Sequence, residues 1–264
     1  MSTWLCRDKA LSLHRPLICG ILNATPDSFY APSRGGAELG AELAAQGADL
    51  LDVGGMSTRP GHSPVSPEEE LARLLPVLTS LRQRLPYLPL SVDSYRPEVL
   101  QRALEAGAEI INDISGLADP RIAELAARYG AGLVLTYPHA GNAFAVAEGL
   151  QALAAQALSA GVRRECLVLD PGIGFGKTAE ENLHCLAHTH LLSQLGYPLM
   201  LAVSRKRVVY QTVSATADTC HAANLAAQLF GACQGACILR VHDVASVHQA
   251  LTLLQSLQEA RRHD

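Results

Sequence analysis

Eight short apolar segments recur at near-even intervals along this 264-residue chain, and almost every one ends in a polar or charged residue. Stretches with helical spacing alternate with them. Parallel strands joined by helical crossovers explain this alternation, and a count of eight favours closure into a single (β/α)8 TIM barrel of the α/β class over an open doubly wound sheet. The predicted strand ends are residues 20–23, 51–54, 91–93, 111–113, 133–136, 167–170, 201–206 and 238–242. The predicted helices are residues 37–46, 67–84, 97–106, 120–129, 143–160, 179–195, 216–232 and 245–260.

The composition fits one compact domain over residues 1–264, with 48% hydrophobic and 17% charged residues. A net charge of -4 offers no sequence-wide basic surface, so nucleic acid is not expected as a partner. No apolar stretch approaches a membrane-spanning length. The seven cysteines are scattered and lack a Cys-x-x-Cys pair, which indicates a reducing compartment. We therefore expect a cytoplasmic protein whose thiols are free and mostly buried.

Basic and hydroxyl residues near three predicted strand ends indicate an anion site. Ser57, Thr58 and Arg59 combine hydroxyls, backbone amides and a guanidinium, which suits phosphate oxygens. Arg240 and His242 leave the eighth strand, in the quadrant of a barrel where phosphates are commonly held. Each arginine taken alone is explained as well by a solvated surface position. The prediction depends on these residues meeting at one mouth.

Strand-end carboxylates and an amide form a second group. Asp93, Asp113 and Asp170 can accept hydrogen bonds from a heterocycle rich in amide and amine groups, and Asn112 adds a donor and an acceptor. At least one of these carboxylates is expected instead to cap a helix or to pin a loop. Asp113 is the first candidate for that structural role.

Two further patterns are weighed and set aside. The glycine-rich string at residues 169–178 lacks the spacing of a dinucleotide loop, and a P-loop would need glycine where Pro171 stands. Its glycines are better explained by a sharp turn that lets a flat ligand approach the backbone closely. His184, Cys185, His188 and His190 lie on the helix after the sixth strand, and the step from His184 to His188 could present two imidazoles to zinc, but no acid or partner string completes a catalytic site on that outer helix. Neither a nucleotide nor zinc is assigned.

Six separated strings carry a family resemblance. They are residues 20–29 (GILNATPDSF), 57–61 (STRPG), 112–116 (NDISG), 170–177 (DPGIGFGK), 204–206 (SRK) and 240–242 (RVH). In this order, and over nearly the whole chain, they closely resemble the dihydropteroate synthase family. The six strings match this family more specifically than they match the related pterin-binding domains of corrinoid methyltransferases.

The resemblance implies an enzyme of folate biosynthesis. It would join dihydropterin pyrophosphate to p-aminobenzoate, releasing pyrophosphate through a pterin carbocation and without a covalent enzyme intermediate. Mg²⁺ is implied as a cofactor, and a homodimer is implied as the assembly.

Site residues carry over by position. The resemblance implies a pterin site at Asp93, Asn112, Asp170 and Lys206. It implies a pyrophosphate site at Asn23, Thr58, Arg59, Arg240 and His242, with the Mg²⁺ at Asn23. It implies an acceptor pocket at Phe29, Pro60 and Arg207, and catalytic roles for Lys206, Arg59 and Asp27.

The chain departs from the family pattern on the lid and acceptor side. The family's first loop carries a second aspartate in an Asp-Gly-Gly string, whereas residues 30–36 (YAPSRGG) contain no acid. Arg207 stands where the family has serine, and residues 137–139 (YPH) replace Met-His-Met. These changes leave three outcomes open: an ordinary synthase with a modified lid, a paralogue using another amine acceptor, or a pterin-binding protein without catalysis.

Overall fold

A barrel of eight parallel strands forms the centre of the protein, whose computed structural model describes residues 3–24, 35–56 and 65–261. The described strands are β1 (Thr3–Cys6), β2 (Lys9–Ser12), β3 (Leu17–Asn23), β4 (Leu50–Gly54), β5 (Leu90–Asp93), β6 (Ile110–Asp113), β7 (Gly132–Thr136), β8 (Leu167–Asp170), β9 (Met200–Leu201) and β10 (Ile238–Val241). The described helices are α1 (Gly35–Ala45), α2 (Pro67–Arg84), α3 (Pro97–Glu105), α4 (Arg121–Tyr129), α5 (Ala143–Ser159), α6 (Ala179–Ala187), α7 (Thr189–Ser193), α8 (Arg207–Thr212), α9 (His221–Cys233) and α10 (Val244–Ala260).

The barrel strands follow the order β8-β7-β6-β5-β4-β3-β10-β9. A parallel bridge between Leu169 and Leu199 joins the two ends of this order, supported by a 2.9 Å hydrogen bond from the Leu169 nitrogen to the Pro198 oxygen. The predicted (β/α)8 barrel is therefore confirmed. Among the described helices, none combines the length and the apolar character that a bilayer crossing requires.

Local capping agrees with the sequence. The Ser66 side chain accepts a hydrogen bond from the Glu69 nitrogen at 3.2 Å, and Pro67 occupies the first turn of α2. Both features satisfy or remove donors that the start of a helix leaves unpaired. At the other end of a helix, Gly130 closes α4 with φ 62°, in the left-handed region that favours glycine.

Three predicted boundaries are wrong, and side-chain hydrogen bonds explain them. The seventh barrel strand ends at Leu201 rather than at residue 206, because the Ser204 hydroxyl accepts the His242 nitrogen at 3.3 Å where a strand would have continued the ladder. The helix predicted at 216–232 begins at His221, because the Thr219 hydroxyl accepts the Thr216 nitrogen at 3.0 Å and holds a turn. A short helix, α8, lies between the predicted strand end at 201–206 and the predicted helix at 216–232.

The third boundary concerns the helix predicted at 179–195. It is divided into α6 and α7, because the Thr189 hydroxyl donates to the Leu186 oxygen at 2.8 Å and satisfies a carbonyl of the last turn of α6. The Thr189 side chain thus ends α6 at Ala187, although the apolar pattern continues to residue 195.

An antiparallel hairpin of β1 and β2 covers the amino-terminal end of the barrel, a feature the sequence patterns did not predict. The buried side chains of Trp4 and Cys6 pack against inward-facing residues near the starts of the barrel strands. The Trp4 Nε1 group donates to the Cys166 oxygen at 2.9 Å, so the indole nitrogen is satisfied. That bottom layer is Leu17, Cys19, Leu50, Ile110, Val134, Val168, Met200 and Ile238.

The Trp4→Ala variant is expected to lose about 3–5 kcal/mol of unfolding free energy, the usual cost of truncating a buried aromatic side chain. Trp4 is 0% exposed and the bottom layer of the barrel packs on it. Urea denaturation followed by circular dichroism measures the change. Tyr87→Ala is the control, because Tyr87 is 90% exposed and its loss should cost less than about 0.5 kcal/mol. Equal midpoints for the two variants would contradict the role of the hairpin.

The thiols agree with the prediction as well. All seven cysteines are free, and the buried ones are Cys6, Cys19, Cys166, Cys185 and Cys220.

Candidate active site

The pleat of each barrel strand alternates side chains between the interior and the helices. On five strands, residues two positions after the apolar bottom layer therefore form a second interior layer nearer the carboxyl ends, and Asp93 joins this layer on β5, beside Asn112. This layer is polar and buried: it contains Asp52, Asp93, Asn112, Thr136 and Asp170, with Arg240 beside them. Asn23 lies at the edge of this layer, since a Cβ atom at Gly54 would contact both Asp93 Cβ, at 3.7 Å, and Asn23 Oδ1, at 3.9 Å.

Arg240 is the ionic centre of this layer. Its Nε donates to Asp52 Oδ2 at 2.6 Å and its Nη2 donates to Asp93 Oδ2 at 2.8 Å. Asp52 also accepts Ser91 Oγ at 2.5 Å and Asn112 Nδ2 at 2.9 Å. The structure thus brings together Asp93, Asn112 and Arg240, three of the predicted site residues.

Asp52 was not predicted as a site residue. Its carboxylate is 1% exposed and lies in the middle of β4, a strand whose five residues are all buried. A charged residue inside such a strand is rare unless it is paired. Asp52 comes two residues after the inward-facing Leu50, so its side chain also faces the barrel interior. That position was the signal that could have identified it.

Asp93 holds an acceptor that the described residues leave unsatisfied. The Oδ1 atom is buried and lacks a hydrogen-bond partner within the described part of the chain. Burial raises the pKa of Asp93 to about 7, and the negative charges of Asp52 and Glu70 act in the same direction, whereas Arg240 and Lys206 oppose the shift. An unsatisfied buried acceptor is costly in the free protein, and it is suited to receiving a donor from a ligand.

Asp170 and Lys206 form the opposite side of the site. Asp170 Oδ1 accepts the Gly172 nitrogen at 2.7 Å, and burial raises its pKa. The Lys206 ammonium donates to the Ile173 oxygen and lies 4.8 Å from the centre of the Phe175 ring. Burial lowers the pKa of Lys206 to about 8, against the attraction of Asp170 and Asp93, which raises it.

The glycine-rich string that carries Asp170 packs closely against two lysine side chains, Lys206 and Lys177. A Cβ atom at Gly174, where φ is +86°, would lie 3.2 Å from Lys206 Cδ. The Lys177 ammonium is not available to bind phosphate, because it donates hydrogen bonds to backbone oxygens of both neighbouring loops. Those oxygens belong to Tyr137, His139, Gly172 and Phe175, at 2.9–3.4 Å.

The remaining predicted residues have varied positions. The His242 Nδ1 atom lies 3.0 Å from Ser204 Oγ, just past the end of β10. Arg207 is exposed at the start of α8, next to Lys206. Asp113 pins its loop by accepting the Leu117 nitrogen at 2.6 Å and two groups of Ser115, so its structural role is confirmed. Asp27, Phe29, Thr58, Arg59 and Pro60 lie outside the described residues.

The two histidines considered for zinc stack on each other. The ring centres of His184 and His188 lie 4.1 Å apart, and His184 Nδ1 accepts the Ala143 nitrogen at 3.2 Å. Each imidazole therefore has a structural contact. No zinc role is proposed for them.

Comparison with known proteins identifies the family. Residues 19–242 match the family described as pterin binding enzyme. The chain is 37% identical to the dihydropteroate synthase of Clostridium beijerinckii, over 87% of this chain and 90% of that protein. This chain belongs to the dihydropteroate synthase family. Another family member, named inactive dihydropteroate synthase 2 of Mycobacterium tuberculosis, is 36% identical over 94% of this chain and 84% of its own length.

A solved structure from the family has the same fold. The dihydropteroate synthase of Xanthomonas albilineans with 4-aminobenzoic acid superposes with a TM-score of 0.93 at 39% identity, over 97% of this chain and 98% of that one. A second structure of that enzyme contains 7,8-dihydropteroate, with a TM-score of 0.90. The relatives of this chain thus include proteins named dihydropteroate synthase and a protein named as an inactive one.

Proposed function

We propose that this protein is a dihydropteroate synthase, which joins dihydropterin pyrophosphate to p-aminobenzoate. The observation that carries the proposal is the buried polar layer at the carboxyl ends of the strands, where Asp93, Asn112 and Arg240 are connected through Asp52. Family members named for this reaction, and the Xanthomonas structures with 4-aminobenzoic acid and with dihydropteroate, support it.

The pterin is held by acceptors that match its donors. Asp93 Oδ1 lacks a partner among the described residues, and Asp170 keeps an oxygen beyond its contact with Gly172. Asn112 adds an amide acceptor at the pterin edge, and the Lys206 ammonium adds a donor for an acceptor atom of the ring. A heterocycle rich in amide and amine N–H groups satisfies such oxygens, which removes their desolvation cost on binding.

The diphosphate is held by Asn23, Arg240 and His242, together with Thr58 and Arg59. The bond between the pterin methylene carbon and the diphosphate oxygen breaks, and its electron pair leaves with pyrophosphate. Arginine and histidine groups stabilise the charge that develops on the leaving oxygen. Asp93 and Asp170 favour the cationic pterin that remains.

Asn23 fits a role in holding Mg²⁺. Its amide oxygen is a hard ligand at the carboxyl end of β3, where it would suit a cation held mainly by phosphate oxygens and water. A bound Mg²⁺ supplies positive charge that stabilises the leaving pyrophosphate.

The acceptor amine approaches from the side of Phe29, Pro60 and Arg207. Its nitrogen lone pair forms the new bond to the methylene carbon, and the amine proton is released to solvent. Arg207 can pair with the carboxylate of p-aminobenzoate in place of the family serine. Lys206, Arg59 and Asp27 are the proposed catalytic residues.

A second candidate function is pterin binding without turnover. The absence of an acid from residues 30–36 and the inactive-named relative favour it. A paralogue that uses another amine is the third possibility. Pyrophosphate release is the measurement that separates them. Release that depends on p-aminobenzoate supports the synthase, release only with another amine supports the paralogue, and tight pterin binding without release supports the binding protein.

Pterin affinity is expected to be highest between about pH 7 and pH 8. The pKa of Asp93 is about 7 and that of Lys206 is about 8, so the carboxylate is ionised above the first value and the ammonium is charged below the second. Affinity should therefore rise from pH 6 to 7 and fall above pH 8. Calorimetric titration with a dihydropterin across this range measures it. A flat profile would contradict the assignment of these two groups to the pterin.

We also propose that the enzyme is a cytoplasmic homodimer. Free thiols are typical of a reducing compartment. The adjacent helices α9 and α10 expose the large apolar side chains of Phe230, Leu253 and Leu257, and exposed apolar side chains of this size are a feature of interfaces when they form a patch. Sedimentation velocity should show a dimer that Phe230→Glu converts to a monomer, whereas Phe144→Glu, at another exposed phenylalanine, on α5, should leave it dimeric.

A further inference from the structure

Asp52 has no part in the proposed bond breaking and bond making, yet its carboxylate accepts more hydrogen bonds than any other described acid of the site. It is 1% exposed and accepts hydrogen bonds from three different strands. The donors are Ser91 Oγ on β5, Asn112 Nδ2 on β6 and Arg240 Nε on β10. No other acid among the described residues joins a pterin-side residue to a diphosphate-side residue in this way.

The bond to Asn112 fixes which end of the amide a ligand meets. A carboxylate accepts hydrogen bonds, so the Asn112 nitrogen must point to Asp52 and the amide oxygen must point elsewhere. The amide is therefore held as an acceptor toward the interior. Without Asp52, the nitrogen and oxygen of Asn112 could exchange places.

The bond to Arg240 fixes the plane of the guanidinium. Nε on Asp52 and Nη2 on Asp93 occupy two of its five N–H groups, and the planar group cannot turn without losing one of these contacts. The orientation of the other N–H groups follows from that plane. Asp52 thus determines where Arg240 can present donors to an anion.

We propose that Asp52 is a positioning residue that orients Asn112 toward the pterin and Arg240 toward the diphosphate, so that one buried carboxylate aligns both halves of the substrate. This inference rests on the proposed synthase or pterin-binding function. Asp52 is not proposed to touch the substrate.

The charge of Asp52 gives a second, independent signature. The charged groups that face Asp93 are Arg240, Asp52, Glu70 and Lys206, and Asp52 is one of the two that raise its pKa. Asp52→Asn removes that negative charge and leaves Arg240 paired with Asp93 alone. The pKa of Asp93 should therefore fall, and the acidic limb of pterin binding should move to lower pH.

Asp52→Asn is the test, with each half of the substrate measured separately by calorimetry. The probes are 6-hydroxymethyl-7,8-dihydropterin and inorganic pyrophosphate. Both affinities are expected to fall by about 10–100-fold, as they do when outer partners of metal-binding side chains are removed. Asp113→Asn is the matched control: this strand-end carboxylate is equally buried but holds the backbone of the loop that follows β6, so its loss should lower the melting temperature and leave both affinities within about twofold.

The outcomes are distinguishable. If the wild-type protein binds neither probe, the proposed function fails. If it binds both, and Asp52→Asn binds them equally well or keeps the wild-type pH profile, the positioning role is overturned. Should Asp52→Asn not fold, Ser91→Ala removes one donor to Asp52 without a change of charge. That variant is expected to weaken both probes about two- to fivefold, and unchanged affinities for both would also overturn the inference.

Discussion

Arg240→Met is expected to lower the free energy of unfolding by about 3–5 kcal/mol and to abolish measurable turnover. The guanidinium is the cation shared by Asp52 and Asp93, with contacts of 2.6 and 2.8 Å. Methionine keeps an apolar stem of similar length but leaves two buried carboxylates without their counter-ion. Breaking a buried pair from one side is costly for that reason, whatever the net contribution of the intact pair. Urea denaturation and pyrophosphate release measure the two effects.

The loss of stability in Arg240→Met is expected to depend on pH, through the ionisation of Asp93. The pKa of Asp93 is raised to about 7 in the folded protein, so its carboxyl is neutral at acidic pH and its burial is costly only once it ionises. The stability difference between Arg240→Met and wild type should therefore be smaller at pH 5.5 than at pH 8. Adding Asp93→Asn to Arg240→Met should recover part of the loss, because an amide carries no charge.

A surface arginine provides the control for Arg240. Arg15 contacts both oxygens of Asp49, at 2.9 and 2.6 Å, but its side chain is 46% exposed. Solvent screens this pair, so Arg15→Met should cost less than about 1 kcal/mol. Equal losses for the two variants would show that burial does not set the strength of the Arg240 network.

The meeting of three site residues could be predicted from the sequence because parallel strands share a direction. Polar residues at the carboxyl ends of separate strands must meet at one end of a barrel, and Asp93, Asn112 and Arg240 do so. Asp52 was missed because it lies two residues before the end of β4, inside a fully buried strand that was expected to be apolar. Its role depends on three partners from other strands, which no local pattern contains.

The hairpin and the loop after β9 were harder to predict for a different reason. The strands β1 and β2 have four residues each, too few for a periodic pattern to be distinctive, and their stability comes from Trp4 under the barrel. After β9, the Ser204 and Thr219 hydroxyls replace backbone hydrogen bonds. The Ser204 bond joins segments 38 residues apart, and the Thr219 bond is a local side-chain turn, so the apolar pattern continues in both places where the regular element does not.

Lys206→Ala is expected to lower kcat/KM by about 10²–10³-fold, the usual cost of removing one charged donor at a reacting centre, without lowering stability. Burial lowers the pKa of this lysine to about 8, which means that the fold prefers the neutral amine. A base with a lowered pKa costs stability progressively as the pH falls from its ordinary value, 10.5 for lysine, towards the lowered value, and the cost is constant below it. Below pH 8 the alanine variant should therefore be at least as stable as wild type.

This behaviour distinguishes Lys206 from Arg240. The guanidinium is held by two carboxylates and contributes to both stability and function, whereas the ammonium bonds the Ile173 oxygen and faces the Phe175 ring at 4.8 Å. A charged lysine kept at a cost to stability is expected where its charge is needed by a ligand. Parallel urea denaturation at pH 6 and pH 9 measures the difference, which should favour the variant more at pH 6. A variant that loses stability and activity together at pH 6 would instead assign Lys206 a structural role.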